Sequence, residues 1–189
     1  MERTPRAMKR RTGSAVTTGK PGAGQGQEQV FTLHVTIASG PLSERFAREN
    51  PVIARTIEIR GDQTLAQLHR AIFAAFDRDD EHMYEFQVGG KGPMDPQARR
   101  YVLPVDMDDP FGDTKRAGEV SRTTIGSLGL KTGATFGYWF DFGDDWWHRI
   151  EVLAVEHRTP PPRTRSGFPR VTQRIGQSPP QYADWDEEG

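Results

Sequence analysis

Four side chains within eight residues could do metal chemistry: Asp141, Asp144, Asp145 and His148. Carboxylate oxygens and an imidazole nitrogen suit a divalent cation, and a cation so held would serve a metal-dependent hydrolase or nuclease. They sit in YWFDFGDDWWHRI, Tyr138 to Ile150, which also carries six aromatic residues, Trp139 and Trp147 among them, and Arg149. Aromatics beside an arginine suit recognition of a protein partner or a nucleic-acid strand. General acid/base work would need two of the carboxylates close together in a cleft with separated pKa values, and a hairpin tip is a poor place for that. The chain has no Ser/His/Asp arrangement, GxSxG, Walker loop, GxGxxG or HExxH. With no cysteine, it has no disulfide, thiolate zinc site or cysteine nucleophile.

Which chemistry is available depends on how the stretch folds. ATFGYWFDFG and WWHRIEVLAVE alternate with a period of two around GDD, which predicts a β-hairpin. A three-residue loop Gly143-Asp144-Asp145 sets Phe142 opposite Trp146, Phe140 opposite His148, Tyr138 opposite Ile150 and Phe136 opposite Val152, all facing the core. The other face then carries Trp139, Asp141, Trp147, Arg149 and Glu151. In this register Trp139 opposes Arg149 in a cation–π contact. Asp141 opposes Trp147 and is a diagonal neighbour of Arg149, close enough to pair. The register separates the four candidate ligands: Asp141 points out, His148 points in, and the two turn aspartates face solvent or close the turn. No metal site is therefore favoured, Asp141, Asp144, Asp145 and His148 remain the candidates for one, and no catalytic or cofactor-binding residue is assigned. The expected interaction surface is Trp139, Asp141, Asp144, Asp145, Trp147 and Arg149.

Upstream, VFTLHVTIAS (residues 30–39) alternates as a half-buried strand, GPLSERFARENPV reads as a connection, and ARTIEIRG (54–61) is a second strand. The period then changes to 3.6. TLAQLHRAIFAAFD places Leu65, Leu68, Ile72, Ala75 and Phe76 on one helical stripe, with Thr64 as N-cap and Gln67 as its capping-box partner. MYEFQVGG (83–90) is a third strand. The following thirty residues read as a long loop with a short strand at RRYVL; their DMDDPFGD run lacks the glycine and glutamate of a calcium loop and reads as solvated. TTIGSLGLKTG reads as a capped helical turn. The expected fold is α+β: a β-grasp-like mixed sheet covered by one main helix, with the C-terminal β-hairpin on the same sheet.

The 189 residues are 34% hydrophobic, with fourteen prolines and twenty glycines, and the mean hydropathy is −0.71. One domain with polar ends follows. Residues 1–29 hold six basic and two acidic residues, a net +4, and lack the apolar content to order. Within this arm Arg6, Lys9, Arg10 and Arg11 could make weak nucleic-acid contact. Residues 30–156, the expected domain, hold fourteen basic and twenty acidic residues, a net −6. Residues 157–189 form a proline-rich tail in which Phe168, Val171, Ile175, Tyr182 and Trp185 are spaced as anchors for docking on the body. No run approaches the ~18 apolar residues of a membrane span, and no secretory signal is present, so a cytoplasmic protein is expected.

The run Phe140-Asp141-Phe142-Gly143-Asp144-Asp145-Trp146 followed by His148-Arg149-Ile150 resembles the signature of the plasmid pRiA4b ORF-3-like family, which includes TnpR-like proteins of insertion elements of the IS1096 type. FTLHVTI, TLAQLHRAIFAAF, HMYEFQVGG and PRVTQRIGQSPPQY match as well, so the likeness covers roughly residues 30–185. Trp147 stands where the family usually has an acidic or polar residue. The resemblance implies an α+β layer and a link to bacterial plasmids and mobile elements. It implies no reaction and supplies no catalytic residues. The expected function is a non-enzymatic module that binds a protein partner or nucleic acid through the hairpin face, the alternative being the metal-dependent hydrolase or nuclease.

Overall fold

The structure is a computed structural model and describes residues 28–104, 116–158 and 167–182. The basic residues Arg6, Lys9, Arg10 and Arg11, the DMDDPFGD run and Trp185 lie outside the described residues. The chain runs β1 (Glu28–Ser39), α1 (Glu44–Glu49), β2 (Ala54–Arg60), α2 (Leu65–Ala75), β3 (Tyr84–Val88), β4 (Arg99–Val102), β5 (Arg116–Glu119), a 3-10 turn (Ile125–Leu128), β6 (Thr135–Phe140), β7 (Trp146–Arg158) and β8 (Arg170–Ile175). The strands form one eight-stranded sheet in the order β5-β4-β3-β6-β7-β1-β2-β8. Neighbours are antiparallel except β4 and β5, which run parallel at one edge. The fold is α+β with a mixed sheet and one main helix.

Helix α2 starts as its sequence dictates. Thr64 Oγ1 accepts from the Gln67 N–H at 3.3 Å and Gln67 Oε1 accepts from the Thr64 N–H at 2.8 Å, so both orphan donors are satisfied reciprocally. Its stripe of Leu65, Leu68, Ile72 and Ala75 is buried against the inward residues of the sheet, among them Leu33, Val35, Ile57, Phe86, Tyr138, Phe140, Trp146 and Ile150. The helix covers one face only, so every strand turns its alternate residues to the other face.

Three elements differ from the sequence reading. The connection after β1 holds the short helix α1, capped by Ser43, whose Oγ accepts from the Phe46 N–H at 3.2 Å. Its two i,i+4 pairs, Arg45–Glu49 and Arg48–Glu44, are local charge patterning in a stretch read only for its Gly-Pro breaker. Strand β5 arises from RAGE, which has no alternation to show. The tail supplies β8, which pairs with β2 and makes residues 170–175 the edge of the sheet.

The tail is fixed by buried polar groups. Arg55 is 2% exposed and points inward at the start of β2. Its guanidinium donates to the carbonyls of Ala75 at 2.8 Å, Ala54 at 2.7 Å and Ile175 at 2.8 Å, and to Ser178 Oγ at 2.8 Å. Such a set of acceptors offsets the cost of burying a cation. It closes the C-terminal end of α2 and holds the chain beyond β8 in one contact set. Gln181 adds a second fastening: its Oε1 accepts from the N–H groups of Asp79 and Asp80, and its carbonyl accepts from Trp146 Nε1 at 3.1 Å.

Candidate interaction face and the signature hairpin

The hairpin keeps its expected faces but not its expected register. Phe140 pairs with Trp146, Trp139 with Trp147, Tyr138 with His148, Gly137 with Arg149 and Phe136 with Ile150. Every pairing is two residues away from the one the three-residue loop would impose. Because a shift of two preserves the faces, Phe136, Tyr138, Phe140, Trp146, His148, Ile150 and Val152 remain buried. The cause lies in the loop, which has five residues. Asp141 and Asp145 both adopt left-handed backbone, φ 54° and 57°, a conformation that aspartate tolerates better than most residues. The Asp145 N–H donates to the Asp141 carbonyl at 2.8 Å, and Asp141 Oδ1 accepts from the N–H groups of Gly143 at 3.1 Å and Asp144 at 3.3 Å.

The longer loop removes Phe142 from the core and places it on the outer face. There it stacks on Trp139 with ring centroids 4.1 Å apart, and Trp139 stacks on Trp147 at 4.8 Å and 8°. The expected cation–π contact between Trp139 and Arg149 is thereby corrected: Trp139 faces Trp147, and Arg149 faces Gly137. The Asp141–Arg149 pair is corrected as well. Asp141 is 6% exposed and approaches His82 Nε2 at 3.5 Å, so it also does not belong to the outer surface. Asp145 Oδ1 accepts from Trp139 Nε1 at 2.8 Å and locks the ladder.

The four candidate metal ligands do not meet. Asp141 caps the loop, Asp145 holds Trp139, Asp144 sits half-buried on the loop, and His148 lies in the core. No group of three or more His, Asp or Glu is placed to hold a metal ion among the described residues. Beneath the loop lies a polar cluster absent from the sequence reading. The Arg78 guanidinium lies 3.7 Å from the centroid of the Trp146 ring, buried, with none of its three nitrogens hydrogen-bonded. Burial pushes its pKa down to about 10, against the pull of Tyr138, Asp141 and Asp144. Burial first, and Arg78 second, push the His148 pKa down to about 3. His69 Nε2 donates to Glu81 at 3.0 Å, which leaves Nδ1 to accept from the Tyr138 hydroxyl at 2.7 Å. The Tyr138 pKa is raised well above its usual value by burial. These groups share the interior with aromatic rings, and Tyr138 is only 1% exposed.

What remains open is on the outer face. A cavity of about 360 Å³ lies beside the ladder, lined by Ala38, Gln87, Lys91, Gly137, Trp147 and Arg149 among others. Lys91 and Gly137 were missed in the sequence reading. The available signal was a glycine in the middle of an alternating strand, which marks a bulge or a close approach.

The fold is an α+β sheet with one face covered by a helix and the Phe142–Trp139–Trp147 ladder on the other. The chain belongs to the plasmid pRiA4b ORF-3-like protein family, whose model matches residues 43–184. It is 30% identical over 132 residues to the uncharacterized protein y4hQ of Sinorhizobium fredii, a match covering 69% of this chain and 59% of that protein. The chain thus spans less than two thirds of that relative's length. A crystal structure of MM3350, a protein of unknown function from Methanosarcina mazei Go1, superposes with a TM-score of 0.57 at 22% identity, covering 82% of this chain and 74% of the other. That likeness concerns the fold. No helix among the described residues is long and apolar enough to cross a membrane.

Proposed function

We propose that the protein is a non-enzymatic interaction module that holds a protein partner on the outer face of β6 and β7. One observation carries the reading. Two of the three aspartates of the signature are bound up in the hairpin itself, Asp141 on the loop amides and Asp145 on Trp139. Trp147, expected at the surface, is 8% exposed and forms the inner rung of the ladder, which leaves the half-buried Phe142 and Trp139, the cavity beside them and the exposed Arg149 at the surface. Desolvated aromatics beside an arginine are the usual anchors of a protein interface. A protein partner suits the net −6 of residues 30–156 better than a polyphosphate does. Nucleic-acid contact, in this reading, belongs to the basic residues Arg6, Lys9, Arg10 and Arg11.

The test is selection of a phage-displayed random peptide library on the full chain, with the Arg149→Ala protein as counter-target. Peptides that bind the wild type and lose affinity on Arg149→Ala support the reading. A library that yields no binder, or binders indifferent to Arg149, overturns it.

A further inference from the structure

The cavity over Gly137 has features that name its occupant. Gly137 pairs with Gln87 on one side and Arg149 on the other. A Cβ built on it would meet nothing nearer than Gln87 Cβ at 3.7 Å, an ordinary contact, and its backbone needs no left-handed angle. Neither packing nor conformation therefore requires glycine, and a strand interior disfavours it. The missing side chain keeps the cavity open.

The polar groups around the opening are mostly committed. Gln87 Oε1 accepts from the Met94 N–H at 2.9 Å and its Nε2 donates to Glu85. Glu85 is bound by Arg100, whose Nε lies 3.0 Å from both carboxylate oxygens. Asp95 accepts from the N–H groups of Lys91 and Gln97, each at 2.8 Å. Glu151, the next outward residue of β7, stands opposite Thr135. The side chains of Lys91 and Arg149 line the cavity and form no ion pair among the described residues. Two cations outside any ion pair, of which Lys91 already acts on the Asp95 carboxylate through its charge, at a small cavity with an indole in its wall are complementary to one carboxylate on a short apolar stem.

We propose that this cavity takes an Asp or Glu side chain from an extended, otherwise uncharged segment of the partner protein. Arg149 and Lys91 hold the carboxylate and Trp147 packs against the stem. The inference rests on the interaction reading above and adds what that surface recognises. A single carboxylate needs only the two local cations, whereas a nucleic-acid strand would carry many charges past an acidic body.

The test takes individual synthetic peptides from the selection, fluorescein-labelled, and measures binding by polarisation. The bound peptides are expected to carry an acidic residue. Changing it to the amide should weaken binding roughly tenfold or more, the loss of a charge-assisted contact. Gly137→Val, which fills the cavity, and Arg149→Gln should each weaken it similarly. Arg149 is exposed, so Arg149→Gln keeps the test meaningful even if Gly137→Val lowers stability. Peptides that need Arg149 yet ignore the acid-to-amide change and Gly137→Val overturn this inference and leave the interaction reading standing. Displacement of the peptide by a thymidine oligomer that also depends on Arg149 overturns it in favour of phosphate. A library with no binders removes both readings together.

Discussion

Replacing His148 by phenylalanine should flatten the acid side of the stability curve. The imidazole is 3% exposed, with the Phe76 ring 5.3 Å and the Tyr138 ring 5.1 Å away, and its Nδ1 has no hydrogen-bond partner. Its pKa is pushed down to about 3 in the folded protein, against about 6.5 in an unfolded chain. Between those values the unfolded chain binds a proton that the folded chain refuses, so stability rises with pH. The contribution is therefore complete above the unfolded value and is lost as the pH falls toward the folded one. The slope approaches roughly 1.4 kcal/mol per pH unit in the middle of the window. From roughly pH 6 to pH 5 the wild type should lose about 1 kcal/mol more than the variant. His69, whose pKa is also lowered by burial, and the carboxylates titrate in both proteins, so the difference isolates His148. Urea unfolding at several pH values gives the measurement, with His148→Gln as a second variant in case phenylalanine overfills the site. Parallel pH profiles for the wild type and both variants would show that the folded imidazole takes up its proton normally and refute the reasoning.

Other outcomes follow from single contacts. Gly40→Ala places a Cβ 2.3 Å from Cε3 of the fully buried Trp146 ring, and should cost about 1–3 kcal/mol. Gly143→Ala, whose Cβ would meet only Asp141 Oδ1 at 3.4 Å, should melt close to the wild type, and equal melting of both variants would contradict the placement of Trp146. Arg55→Met removes the guanidinium donor from Ile175 and Ser178 and leaves the Ala75 carbonyl to Arg174 alone; it should cost on the order of 3 kcal/mol, with faster amide exchange in residues 170–176, and unchanged exchange would speak against the anchor. Trp139→Phe should abolish the exciton couplet that the stacked Trp139–Trp147 pair gives in far-UV circular dichroism, and a persistent couplet would place those rings elsewhere. Removing residues 1–27 should abolish weak binding to a thymidine oligomer, together with a salt dependence of slope about −3 for roughly four phosphate contacts; retained binding would move that contact to the body.

Local chemistry was legible from the sequence and tertiary chemistry was not. The Thr64–Gln67 capping box could be read because both partners lie within one turn. The inner face of the hairpin could be read because the period of two survives any even shift in pairing. The register could not, since it turned on left-handed backbone at Asp141 and Asp145 while Gly143 looked like the turn residue. The same error put Phe142 in the core and paired Trp139 with Arg149. Arg78 follows a helix among aspartates and reads as a surface charge; only the folding of Trp146 beneath it makes it interior. The role of Arg55 was hidden because three of its five acceptors come from residues 120 or more positions away. Strand β8 escaped for a similar reason, being an edge strand with five of its six residues exposed and so carrying little alternation.

The fastening of the tail also sets an order of assembly. β1, β2, α2 and the hairpin are synthesised before residues 175–181, yet Arg55 and Trp146 find their polar partners there. A nascent chain that has emerged only through β7 holds an indole N–H whose acceptor is still inside the ribosome, and a guanidinium that has met Ala54 and Ala75 but not Ile175, Gly176 or Ser178. Closure of the interior is thus deferred to the last strand, and a fusion that delays release of that strand prolongs the interval in which β2 presents an unpaired edge to neighbouring chains.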